Sequence, residues 1–198
     1  MLYELLNDLH VYFSPFNVFR YITFRTALAV FTALFITLAI TPYVIKWLKR
    51  VSMTQQIRDD GPQKHFSKAG TPTMGGIIIL FAISVSMLLW GNFSNNYVCV
   101  IMFALLAFGL IGFIDDYLKV MKKSSKGLRA RYKFPAQTIL ALAICIFLYY
   151  NSTDPYKTVL SVPFFKKWLF DIGIFYIFFA IFVIVGASNA VNLTDGID

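Results

Sequence analysis

Five apolar stretches, roughly Thr26 to Leu48, Met74 to Trp90, Tyr97 to Ile114, Phe134 to Tyr150 and Ile172 to Val191, restrict this chain more than any other feature. A helix needs about 20 apolar residues, and no fewer than about 17, to cross the hydrocarbon core of a bilayer. Backbone polar groups inside that core must bond within their own segment, so stretches of this length specify helices. The chain is 58% hydrophobic and 14% charged, with a mean hydropathy of +0.67, beyond the apolar share of water-soluble domains. The expectation is an all-α integral membrane protein, a polytopic transmembrane helix bundle forming one domain over residues 1–198, with loops at 49–73 and 115–133. The opening "MLYELLNDLHVYF" carries Glu4 and Asp8 where a secretion leader would be basic, so the first apolar run is expected to stay in the mature protein. No internal repeat or low-complexity segment is apparent.

The net charge of +8 would fit a nucleic-acid partner, but its placement has a simpler cause. Six Lys/Arg fall from Lys46 to Lys68 and seven from Lys119 to Lys133, whereas "GNFSNN" at 91–96 has none. Basic loops stay cytoplasmic, which puts the N-terminus outside and leaves most of the charge as a topology signal. The partner implied is the bilayer, with no nucleic acid. Cys99 and Cys145 sit in apolar runs without metal-ligand spacing and read as small hydrophobes.

This orientation brings three polar segments to the cytoplasmic face. In "FIDDYLKV", Asp115 and Asp116 follow the third apolar run, where the helix is expected to end. A helix C-terminus is the negative pole of its dipole, so two adjacent carboxylates are doubly disfavoured there. They mark a solvated helix end or a functional site where a cation offsets both penalties. Magnesium fits, since it takes one or two carboxylates and completes its shell with water and substrate phosphate. "GTPTMGG" reads as a helix start, with Thr71 as N-cap and Pro72 in the first turn. Its free N–H groups would favour an anion, and Gly75 and Gly76 would let a phosphate approach the backbone. His65 and Lys68 precede it as contacts to phosphate, a nucleotide base or lipid headgroups, or as part of a solvated basic loop. No Walker loop is present. The run "KKSSKGLRARYK" at 122–133 reads as an anionic-lipid contact, and Arg25 as a cation snorkelling from the first span.

In "SNAVNLTDGID", Asn189, Asn192, Asp195 and Asp198 are spaced by three, so neighbouring members would share a helix face if the helix continued. Gly196 offers an alternative, a helix ending at Asp195 and a loop beyond it. All ten acidic residues lie outside the centres of the apolar runs, which argues against a transporter's ion path.

Taken together, "HFSKAGTPTMGG" at 65–76, "GFIDDYLKV" at 112–120 and "NAVNLTDGID" at 189–198 closely resemble the bacterial phospho-N-acetylmuramoyl-pentapeptide transferase family. This family lies within the polyprenyl-phosphate N-acetylhexosamine-1-phosphate transferases, glycosyltransferase family 4. The resemblance implies a bacterial inner-membrane enzyme of about ten spans, of which this chain would supply the N-terminal half. It implies magnesium-dependent transfer of phospho-MurNAc-pentapeptide from its UDP carrier to undecaprenyl phosphate. The products are lipid I and UMP, and the step belongs to peptidoglycan synthesis, hence to cell-wall biogenesis, cell shape and division. A homodimer is also implied. By the same resemblance Asp115 and Asp116 are the catalytic pair, with Asp115 handling the lipid-phosphate proton and Asp116 the metal and diphosphate, or the reverse. Lys68, Thr73, Gly75, Gly76 and His65 fall at nucleotide-sugar positions. Asn192, Asp195, Gly196 and Asp198 fall in the nucleoside and metal-side loop, with Asp116 and Asp195 as metal ligands. Family members continue for about five more spans, bearing another aspartate and a histidine-rich loop, so this polypeptide alone is expected to be inactive. A sibling enzyme that transfers GlcNAc-1-phosphate from UDP-GlcNAc shares the paired aspartates. A noncatalytic membrane-binding fragment is the remaining alternative.

Overall fold

A computed structural model describes residues 2–51, 74–122, 127–165 and 167–195. They fall into two compact units, residues 1–129 and 130–198.

In the first unit, α1 (Leu2–Asp8) and two 3-10 turns (Leu9–Val11, Ser14–Arg20) lead into the long helix α2 (Ile22–Arg50), followed by α3 (Gly76–Trp90) and α4 (Asn96–Met121). Apolar helices in a membrane must still satisfy their hydroxyls. In α2, Thr26, Thr32, Thr37 and Thr41 do so by donating to the carbonyl four residues back, at 2.6–2.8 Å. Helix α4 is opened by the Asn95 side chain, which accepts the Tyr97 N–H at 2.9 Å and so caps an orphan donor. Helices α2 and α4 are long and apolar enough to span a bilayer, whereas α3 is apolar but only 15 residues long.

Among the described residues of this unit, Leu48, Met74, Ile78, Ala82 and Met102 are the buried apolar ones. Trp90, at the end of α3, ties that helix to α2 through its indole N–H, which donates to Thr32 Oγ1 at 3.0 Å, while its ring stacks on Phe19 of the preceding 3-10 turn. Arg25, near the start of the first span, has partners within this unit. Its guanidinium lies 3.9 Å over the Tyr3 ring and donates to the Trp90 carbonyl at 3.5 Å, pinning α1 to the start of α2. Helix α4 comes close to α3 at Gly109, where a Cβ would stand 2.7 Å from a Leu80 methyl. Small residues permit such close approach between apolar helices.

In the second unit, α5 (Ala130–Asn151) and α6 (Phe175–Asp195) are joined through a two-stranded antiparallel hairpin, β1 (Val159–Ser161) and β2 (Leu169–Asp171), in the register Val159 with Asp171. Both helices are long and apolar enough to span. Ala141, Ile144, Cys145, Ile177 and Val185 are buried. The contact between the helices carries a polar clasp: Gln137, 2% exposed, donates to Ser188 Oγ at 3.0 Å and accepts from Asn189 Nδ2 at 2.8 Å. Asn189 also donates to the Val185 carbonyl at 2.8 Å. Polar side chains bridging apolar helices contribute about 0.6 kcal/mol each on average and up to about 1.7.

The fold is thus the all-α polytopic class the apolar stretches specify, with four helices of spanning length and the shorter α3. Several boundaries differ from expectation. Helix α2 starts four residues early, because Tyr21 is extended and Pro15 sets up the preceding turn.

Candidate active site

The third span does not end at Ile114. Helix α4 continues through Asp115 and Asp116 to Met121, so the segment read as the start of a loop at 115 is still helical. The reason lies one turn further on. Lys119 Nζ sits 2.8 Å from Asp115 Oδ2 and 2.9 Å from Asp116 Oδ1, the i,i+4 and i,i+3 spacings that share a helix face. One cation therefore offsets the repulsion between neighbouring carboxylates and their unfavourable interaction with the helix dipole.

The two aspartates are not equivalent. Asp115 is 5% exposed, and its Oδ1 accepts the backbone N–H of Leu128 at 2.8 Å, so the chain beyond α4 folds back onto it. That return depends on Gly127, whose φ of +47° is left-handed and whose missing Cβ would stand 2.7 Å from Asp115 Oδ1. A glycine meets both demands without steric cost. Asp116, by contrast, keeps about a third of its side chain accessible and lines a cleft of about 240 Å³ between α3 and α4, together with Met74, Gly76, Ile77, Leu80, Gly112 and Phe113. The cleft is apolar apart from this carboxylate at its edge. Phe113 stacks with Tyr117 beside it.

The start of α3 closes the other side. Met74 has φ +71°, so a helix begun at Pro72 would not be continuous with α3, whose first residue is Gly76. The N–H groups of Ile77 and Ile78 donate to the carbonyls of Met74 and Gly75 at 3.2 and 3.1 Å, which leaves Gly75 and Gly76 as the described amides on which the phosphate expectation rests. A Cβ at either glycine would meet nothing within 4 Å, so their backbone is open to approach. Gly76 and Asp116 thus line one cleft.

His65, Lys68, Thr71, Pro72 and Thr73, and Gly196 and Asp198, are outside the described residues. Asn192 is exposed on α6, and α6 stays helical to Asp195. Asn189, expected to share that face, instead belongs to the clasp with Gln137. Asp116 and Asp195 belong to different compact units. Among the described residues no group of three His, Cys, Asp or Glu could hold a metal ion. A magnesium ion is still compatible with the donors present, since it is usually held by one or two carboxylates plus substrate phosphates, and Asp116 offers a partly exposed carboxylate on the cleft.

Three further residues take part in holding the pair. Lys119 reads in the sequence as loop charge, and its spacing in "DDYLK" is the signal that pairs it with both carboxylates once the helix extends through it. Gly127 and Leu128 lay inside a basic run read as a lipid contact, and nothing in the sequence marks a glycine for tertiary contact with a carboxylate.

Residues 97–198, a little over half of the chain, match the family model described as glycosyl transferase family 4. The chain belongs to this family of transferases. Residues 68–80, which run into the first turn of α3, match the phospho-N-acetylmuramoyl-pentapeptide-transferase signature 1. All 198 residues are 61% identical to the phospho-N-acetylmuramoyl-pentapeptide-transferase of Thermodesulfovibrio yellowstonii and 54% identical to that of Desulfosudis oleivorans. The chain spans 55% of the length of each.

Proposed function

We propose that the protein carrying this chain transfers phospho-MurNAc-pentapeptide from UDP-MurNAc-pentapeptide to undecaprenyl phosphate with Mg2+, giving lipid I and UMP. The observation that carries this reading is the Asp115–Asp116 pair, gripped by Lys119 at the edge of an apolar cleft whose opposite wall is the end of the transferase signature. A lipid phosphate needs such a place, with apolar walls for the chain and a charged edge for the headgroup. The signature at 68–80 favours the muramoyl-pentapeptide substrate over UDP-GlcNAc.

In the reaction an oxygen of the lipid phosphate forms a bond to the sugar-bearing phosphorus of the UDP conjugate. The bond from that phosphorus to the bridging oxygen breaks, and UMP leaves with it. Magnesium, when bound, supplies neutralisation of the diphosphate charge. Asp116, the member of the pair that opens onto the cleft, is assigned to the metal and diphosphate. Asp115 is assigned to the lipid-phosphate proton, which it accepts at Oδ2 once Lys119 leaves that oxygen for the incoming phosphate. Lys68, Thr73, Gly75, Gly76 and His65 are assigned to the nucleotide sugar, and Asn192, Asp195, Gly196 and Asp198 to the nucleoside and metal side. The positive-inside bias of the loops supports an inner-membrane protein with its N-terminus outside and this site on the cytoplasmic face.

The test is transfer of labelled phospho-MurNAc-pentapeptide to undecaprenyl phosphate in detergent with magnesium, using a protein of the relatives' length that contains these 198 residues. Asp115→Asn and Asp116→Asn should each abolish transfer while membrane insertion and helix content stay unchanged. Substantial turnover by either variant would refute its role, and transfer only from UDP-GlcNAc would establish the sibling reaction instead.

A further inference from the structure

The hairpin between α5 and α6 has a feature that the transfer reaction does not use. Its tip is aromatic and uncovered. Phe164 is fully exposed at φ +71°, a left-handed conformation unusual for a bulky side chain. Phe165 and Trp168 stack at 4.7 Å and are each about half-exposed. On β2 the successive residues Leu169 and Phe170 are both 54% exposed. Neighbouring residues of a strand point to opposite faces, so apolar surface is bare on both sides of the ribbon. A two-stranded ribbon is marginal in water even without that burden.

We infer that this aromatic tip is a membrane-interface anchor, seated in the headgroup and upper acyl region of the bilayer on the side where α5 and α6 are joined. Three observations select lipid. Both ends of the hairpin are held by helices of spanning length, with α5 ending at Asn151 and α6 beginning at Phe175, so the hairpin is tethered to one bilayer surface. Strands of three residues reach only about 10 Å, comparable with the headgroup layer of roughly 5–8 Å per leaflet. The charge pattern agrees: Lys157 lies over the Tyr149 ring and donates to the Tyr149 carbonyl at 2.8 Å, and Lys167, exposed, directly precedes Trp168 in the sequence. Aromatic rings interleaved with lysines are characteristic of the membrane–water boundary. A rigid protein partner would cover one face of the ribbon, whereas lipid can surround both.

The experiment reconstitutes the full chain in phosphatidylcholine–phosphatidylglycerol vesicles with a nitroxide on Phe164→Cys, in a background where Cys99 and Cys145 are alanine. The label should collide several-fold more with dissolved oxygen than with an aqueous nickel chelate, and the same label on Asp154→Cys, at the exposed start of the connector, should show the reverse. If the label at 164 meets the chelate as freely as the label at 154, the anchor is refuted. If it is shielded from both and couples to a label on another copy, the tip contacts protein and the inference is equally overturned. Should the cysteine-free background fail to fold, quenching by lipids brominated near the headgroup is compared between the wild-type chain and Trp168→Phe. Loss of a lipid-quenched component supports the anchor, and loss of a component quenched only by aqueous iodide refutes it.

Discussion

Replacing Gly127 by alanine tests how Asp115 is held. The new Cβ would stand 2.7 Å from Asp115 Oδ1 and 2.8 Å from Lys119 Cε. Ordinary contact begins at about 3.4 Å, so the carboxylate or the loop must shift by roughly 0.7 Å. The Leu128 N–H bond, now 2.8 Å, would stretch to about 3.5 Å, the edge of a hydrogen bond. Losing a bond to a charged acceptor costs about 1.5–3 kcal/mol. Holding alanine at the left-handed φ of +47° adds about 1–2 kcal/mol. The local structure should therefore weaken by about 3–4 kcal/mol, and exchange of the Leu128 amide should accelerate by about two to three powers of ten. Gly173→Ala is the control. It also has a positive φ, +52°, but a Cβ there meets nothing within 4 Å, so only the backbone cost of about 1–2 kcal/mol applies. Hydrogen exchange by mass spectrometry in detergent compares the two. If Gly127→Ala leaves Leu128 as protected as in the wild-type chain, or perturbs its region no more than Gly173→Ala perturbs its own, the carboxylate contact does not hold this loop.

Lys119→Met keeps the apolar stem but leaves adjacent carboxylates without their shared cation, one of them buried. It should lower thermal stability by about 2 kcal/mol, a value reduced from that of a fully buried pair because Lys119 and Asp116 are each about a third exposed, and adding Asp115→Asn should recover part of the loss. An unchanged melting temperature for Lys119→Met would show that the ion pairs contribute nothing. Gln137→Leu removes the clasp to Ser188 and Asn189 and should destabilise the α5–α6 pair by about 1 kcal/mol, read as faster exchange in both helices, and no change would mark the clasp as incidental. At the base of the hairpin, the Thr158 hydroxyl, followed by the Gly173 N–H, holds the Asp171 carboxyl below its usual value of 3.8. A depressed folded-state pKa stabilises above the unfolded value, so this contribution is complete above pH 3.8 and fades as pH falls further through the folded value. Amide exchange at Gly173, corrected for its intrinsic pH dependence, should show local loosening in that acidic window and none in Asp171→Asn.

Hydropathy and charge were enough to read much of this protein. Stretch length named the spanning helices because a bilayer leaves an apolar segment of that size no other way to satisfy its backbone. The motifs at 65–76, 112–120 and 189–198 pointed to the transferase family through residue identity, and adjacent carboxylates beside an apolar run marked the site by breaking a local electrostatic rule. What tertiary structure alone decided is the inequality within that pair. Asp115 became the buried member because a loop glycine 12 residues away adopts a left-handed turn and brings the Leu128 N–H onto its oxygen, whereas Asp116, which receives no such cover, stays about a third accessible on the cleft between α3 and α4. Asn189 likewise looked like a ligand by spacing and serves as a helix clasp because Gln137 of α5 lies opposite. Sequence periodicity reports which face of an element is polar. Which group meets that face depends on contacts between residues far apart in the chain, and those exist only once the helices pack.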